Sequence, residues 1–176
     1  MTQIPFLQTD RRENFKMWRF KTFLNWYPMF FGSGGKILFW SGDSQEVHVR
    51  LKLNIWTYNY VGTIFGGSMF SASDPFYMLM WFHILGTQYV VWDKSASIRF
   101  KRPARKTLYA KYTISDENIA EIKQRVLDNN EIDVPFTLKW QDTEGVVYAE
   151  IERIVYIADK TFYENKRGNN QKPIFK

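Results

Sequence analysis

The chain has no cysteine among its 176 residues. That excludes disulfides, thiolate catalysis and cysteine-based zinc sites, and it fits a reducing compartment, the cytoplasm. Histidine is almost as scarce, with only His48 and His83. A serine triad needs an imidazole base. His48 falls on the polar phase of a strand pattern, and His83 lies well along a helical run from the acid it would have to serve. Neither a triad nor a metal centre is expected. The chain also lacks a clean membrane span. Ser68–Leu85 approaches the necessary length but is interrupted by Asp74, Pro75 and His83, so it reads as a buried central helix. The N-terminal Met-Thr-Gln-Ile-Pro-Phe-Leu lacks the charged and apolar regions of a signal peptide.

Aromatic residues are abundant: seven Trp, ten Tyr and fifteen Phe make up 18% of the chain. One core of this size does not easily hide them all, so part of the aromatic surface is expected to be covered by another subunit or a ligand. The net charge of +6 means either a solvated basic surface or a preference for anions, such as the phosphates of a cofactor or of nucleic acid.

Along the chain, residues 10–27 read as a helix, with Asp10 as the cap and Phe15, Trp18, Leu24 and Trp26 near helical spacing. Pro28 and the loop Gly32–Gly35 end it. Lys36–Trp40 reads as a strand, Ser41–Ser44 as a turn and Glu46–Trp56 as a second strand. There Val47, Val49, Leu51, Leu53 and Ile55 alternate with His48, Arg50, Lys52 and Asn54, which predicts one buried and one wet face. Residues 66–86 form a long apolar helix stopped by Gly86. Strands follow at Tyr89–Phe100, Thr107–Ile114, Val134–Gln141 and Val146–Ile157, with a short amphipathic helix over 115–128. The basic tail from Lys160 is expected to be loose. One apolar helix beside one antiparallel sheet is an α+β arrangement, with the sheet wrapped around the helix and an N-terminal helix in front.

The segment Asn59…Gly62…Phe65-Gly66-Gly67…Asp74 carries the chemistry. Paired glycines opening a helix let a ligand approach amides at the positive end of the dipole. A carboxylate inside an apolar run has its proton affinity set by poor solvent or by a partner. Asp74 would share a helix face with Phe70, Tyr77 and Trp81, and Pro75 predicts a kink at the acid.

This pattern resembles the PaaI-like acyl-CoA thioesterases of the hotdog-fold superfamily, with Ser97-Ile98-Arg99-Phe100-Lys101-Arg102-Pro103 similar to the family's strand ending in an Arg-Pro step. Gly-Thr-Ile-Phe-Gly-Gly, Asp-Pro-Phe-Tyr and Trp92-Asp93-Lys94 resemble an uncharacterised branch of it. The resemblance covers roughly residues 35–157 of a single hotdog domain. It implies a dimer or dimer of dimers in which Asp74 activates water, or attacks directly, while the Gly66 and Gly67 amides polarise a thioester. In that picture Asn59, Phe65, Ser68, Phe70, Ser71, Tyr77 and Trp81 line the substrate site. Arg99, Lys101 and Arg102 hold the phosphates of coenzyme A, which enters only as part of the substrate; no other cofactor is implied. Phe65 replaces the family's histidine, a departure that also suits an acyl- or fatty-acid-binding protein without catalysis. The glycines could instead serve tight packing only, Asp74 could be a structural carboxylate, Asn59 a turn-stabilising side chain, and the basic cluster a solvated strand end. Nucleic acid is the poorest partner, because no common RNA-binding signature is present.

Overall fold

The computed structural model describes residues 4–170. After a 3-10 turn at Pro5–Leu7, the elements run α1 (Phe15–Trp26), α2 (Pro28–Ser33), β1 (Gly35–Trp40), β2 (Glu46–Leu51), α3 (Gly66–Ser71), α4 (Phe76–Leu85), β3 (Tyr89–Phe100), β4 (Leu108–Thr113), α5 (Asp116–Asn129), β5 (Glu131–Gln141), β6 (Val147–Asp159) and α6 (Lys160–Asn170). The strands form one antiparallel sheet in the order β1-β2-β4-β5-β6-β3. Its seam is between β4 and β5, joined at the single pair Tyr109↔Gln141, while β6 is fully laddered to β5 and β3.

The sheet's inner face closes around α4. Phe76 meets Trp40 of β1 and Tyr112 of β4 at ring-centroid distances of 5.9 and 4.8 Å, and Tyr77 stacks on Phe136 of β5 at 4.4 Å. Such aromatic pairs contribute roughly 0.5–1.5 kcal/mol each beyond their burial. Trp140 of β5 donates its indole N–H to the Met69 carbonyl at 2.9 Å, which ties α3 to the same core.

The long helix of the sequence reading is two helices. α3 ends at Ser71, Ala72–Pro75 turn, and α4 restarts at Phe76. Pro75 has no N–H for the Ser71 carbonyl, which instead accepts the Asp74 N–H at 3.2 Å, so the kink takes the form of a tightened turn.

Five other expectations change. Asn14, not Asp10, caps α1, its side chain accepting the Met17 N–H at 2.8 Å. The preceding residues run across the sheet instead, where the Arg12 carbonyl accepts the Gly42 N–H and that of Gln8 accepts Lys111 Nζ. Pro28 opens α2 rather than a loop, as its fixed φ suits a first helical turn. β2 stops at Leu51, because Thr57 Oγ1 bonds the Lys52 carbonyl and Asn54 Oδ1 accepts the Trp56 N–H, turning the chain. His48 is buried: Phe39 lies against its ring, and Glu46 accepts from it at 2.6 Å. The tail is not loose from Lys160, since α6 continues the chain to Asn170; its last residues, 171–176, lie outside the described residues.

Candidate active site

The turn between α3 and α4 projects Asp74 toward solvent, with its side chain 61% exposed. The expected buried, isolated acid is therefore not found. One carboxylate oxygen instead accepts from Arg153 Nη1 at 3.1 Å. Arg153, on β6, is only 4% exposed and also pairs with Asp93 of β3 at 2.9 Å. Its Nη2 and the second oxygen of Asp93 have no partner among the described residues. Burial pushes the Asp93 carboxyl up from its ordinary value; Arg153 opposes this and the charge of Asp74 adds to it. One buried cation is thus shared by a partly buried and an exposed carboxylate, and it fixes the position of the exposed one.

A cleft of about 540 Å³ opens at the start of α3. One wall is the loop before the helix, with Asn59, Val61, Thr63 and Ile64; the other is the end of β3 and the loop after it, Phe100 to Arg105, with Gly66 and Met69 at the base. Ile64 reaches across to this second wall, its N–H donating to the Ala104 carbonyl at 2.8 Å. Asn59 holds its own loop: its Oδ1 accepts from the Val61 and Thr63 N–H groups at 3.1 and 3.0 Å. It is therefore a turn-stabilising side chain that also lines the cleft. The Phe65 side chain does not cap α3, and no side chain among the described residues serves the first-turn amides.

Both glycines are used for close packing. A Cβ on Gly66 would fall 2.6 Å from the Phe100 ring, and one on Gly67 would fall 2.3 Å from the Phe65 ring. The aromatic ring standing at the expected histidine position therefore covers the second glycine.

Of the expected site residues, Asn59, Gly66, Lys101 and Arg102 line the cleft. Gly67, Phe65 and Ser68 adjoin it in the first turn of α3. Asp74 and Ser71 do not line it, and the Ser71 hydroxyl donates to the Gly67 carbonyl at 2.7 Å. The helix break also removes the continuous face that was to join Phe70 and Asp74 to Tyr77 and Trp81. Tyr77 and Trp81 are core residues rather than walls of an open tunnel; burial pushes the Tyr77 hydroxyl up to about 12. Among the cations, Lys101 pairs with Glu150 at 3.0 Å and Arg102 donates to the Val147 carbonyl. Lys106 pairs with Asp142. Arg99 stands exposed on β3, and Arg105 lines the cleft without an ion pair among the described residues.

Arg153 escaped the sequence reading, although its signal is visible. In β6, Ala149, Ile151, Val155 and Ile157 point inward, and Arg153 occupies that same apolar phase. An arginine there needs a carboxylate partner.

A family model described as a domain of unknown function, DUF4442, matches residues 17–157. Among solved structures, a Pseudomonas aeruginosa protein of unknown function, described as a probable thioesterase, is similar with a TM-score of 0.72 at 16% identity, covering 84% of this chain and 98% of that one. A Haemophilus influenzae thioesterase aligns with a TM-score of 0.61 at 11% identity, over 86% and 96% of the two chains. A mutant of the phenylacetic acid degradation protein PaaI from Thermus thermophilus aligns with a TM-score of 0.50 at 16% identity, over 74% and 98%. No curated protein matches the chain. At these identities the likeness is one of fold, and the fold is the hotdog architecture.

Proposed function

The chain belongs to the DUF4442 family, and from that premise we propose that it is a cytoplasmic acyl-CoA thioesterase-like hydrolase. The observation that carries this reading is Asp74, held at a helix break by a buried arginine and open to solvent. Asp74 takes a proton from water as the water oxygen attacks the thioester carbonyl. The resulting oxyanion is met by α3 amides at Gly66 and Gly67, and each well-placed donor of this kind contributes roughly 3 kcal/mol. The intermediate collapses to a carboxylic acid and the coenzyme A thiolate, which takes the proton back. Arg105, Lys101 and Arg102 along the cleft, with Arg99 beyond them, suit the phosphates of the coenzyme. The reaction needs water and no added cofactor.

In this reading a second copy completes the site. Asp74 is exposed and does not line its own chain's cleft, so it would serve the cleft of a neighbour in a dimer or dimer of dimers. β3 supports such pairing, because it is a twelve-residue strand at the sheet edge.

The test is hydrolysis across acyl-CoAs of increasing chain length. Wild type is expected to cleave at least one, and Asp74→Asn to lose about 100-fold or more in kcat. A second reading, acyl-chain binding without turnover, is favoured by the Phe65 ring lying over Gly67. Binding of acyl-CoA with equal inertness of wild type and variant would select it.

A further inference from the structure

We propose that the outer face of α1 and α2, with the adjoining loop 52–58, docks on the surface of an anionic lipid bilayer. The inner side of α1 is already spent on the fold: Met17 is buried, and Phe20 and Leu24 pack on the core. The opposite side carries Phe15, Trp18, Phe23 and Trp26, all exposed, Trp26 to 74%. Met29 and Phe31 continue it along α2, where Phe31 stacks on Trp26 at 6.0 Å. Loop 52–58 packs against the end of α2, since a Cβ on Gly34 would fall 2.2 Å from Thr57 Cγ2. This contact places Ile55 and Trp56, 78% and 87% exposed, beside the same face. An apolar surface of this extent does not stay open to water without a use.

Charge identifies the occupant. Between Glu13 and Asp43 there is no acidic residue, and none between Glu46 and Asp74. α1 carries Lys16 and Arg19 and the loop carries Lys52, with the Arg19 guanidinium 5.9 Å from the Phe15 ring centroid. The carboxylates that bound the first of these stretches are engaged elsewhere, Glu13 by Lys21 and Asp43 by Arg11. Pairing this face with its own copy sets cations against cations with no acid to neutralise them. Acidic headgroups supply the missing charge, and Trp, Tyr and Phe flanked by Lys and Arg suit the interfacial zone below them. Loop residues Val61 and Thr63, a few positions beyond Trp56, line the cleft, so docking brings the cleft mouth near the bilayer. The surface is inferred independently of whether that cleft hydrolyses anything.

The experiment is co-sedimentation of the full chain with vesicles of phosphatidylcholine alone or with about 30 mol % phosphatidylserine. Expected are binding to the anionic vesicles with a blue shift of tryptophan emission, weakening as salt is raised, and little binding to neutral ones. Trp26→Ser/Phe31→Ser/Trp56→Ser and, separately, Lys16→Glu/Arg19→Glu should each weaken binding tenfold or more. All five side chains are exposed, and the charge variant stands if the aromatic one does not fold. Absence of binding to anionic vesicles, or binding unchanged in the charge variant, overturns the proposal. So does a wild-type assembly that ignores vesicles and falls apart in the aromatic variant, which would make the face a contact between copies.

Discussion

Arg153 governs what the two carboxylates around it can do. Its guanidinium is almost sealed from water, with one nitrogen shared by Asp74 and Asp93 and another without a partner. Removing a buried cation strands the acid it neutralised, which costs several kcal/mol, whereas an exposed partner contributes little. Arg153→Met should therefore lose about 3 kcal/mol in urea unfolding as Asp93 is left half-buried and unpaired. Asp74→Asn should lose less than about 1 kcal/mol, because its carboxylate faces solvent. Equal losses in the two variants would make Asp74 a structural acid and remove the main support for its catalytic role. The individual acid was legible from its place inside an apolar run that follows paired glycines. Its exposure was not, because that depends on β6 supplying an arginine 79 positions away.

Among the elements, the junction of α2 with β1 is the most sharply constrained. Gly34 closes α2 with φ +80°, and an added Cβ would meet Thr57 at once. A Cβ on Gly32, in the helix itself, would point into open space. Gly34→Ala should cost about 2 kcal/mol or more, from left-handed backbone strain together with overpacking. Gly32→Ala should gain about 0.5–1 kcal/mol by restricting the unfolded chain. Thermal melts of the pair check both signs; a stabilised Gly34→Ala would mean the loop 52–58 is not held against α2. Strand pattern made most of the sheet readable: β3 occupies the expected Tyr89–Phe100, and Ser115 caps α5 with a full capping box. What failed were places where a distant segment overrode local pattern. The wet face of β2 was covered by residues preceding α1, and residues after Lys160 found a helix against β6 and β3. Neither contact leaves a periodic trace in its own segment.

For the molecule as a whole, both histidines have been drawn inward, which ties its stability to mildly acidic pH. Burial pushes His48 below its ordinary value, opposed by Glu46 and reinforced by Lys111, while Phe39 lies against the ring. Burial also lowers His83, with the charge of Lys16 adding to it; the rings of Phe20, Trp40 and Phe82 surround it. In both cases the unfolded chain binds a proton more readily than the folded one. Their contribution is therefore full above the unfolded imidazole value of about 6.5 and shrinks as pH falls below it. Carboxylates held low in the fold, such as Glu150 beside Lys101, act in the same direction but at lower pH, in the carboxylate range. Unfolding free energy should thus stay level from pH 8 to about 7 and then fall toward pH 5, by at most about 1.4 kcal/mol per pH unit for each histidine. Denaturant melts of wild type and of His48→Gln/His83→Asn across that window provide the measurement. Whatever the variant's stability at neutral pH, its curve should be flatter between pH 7 and 5. An equally steep curve in the variant would mean that the acid sensitivity arises elsewhere and that the two imidazoles are not held neutral by the fold.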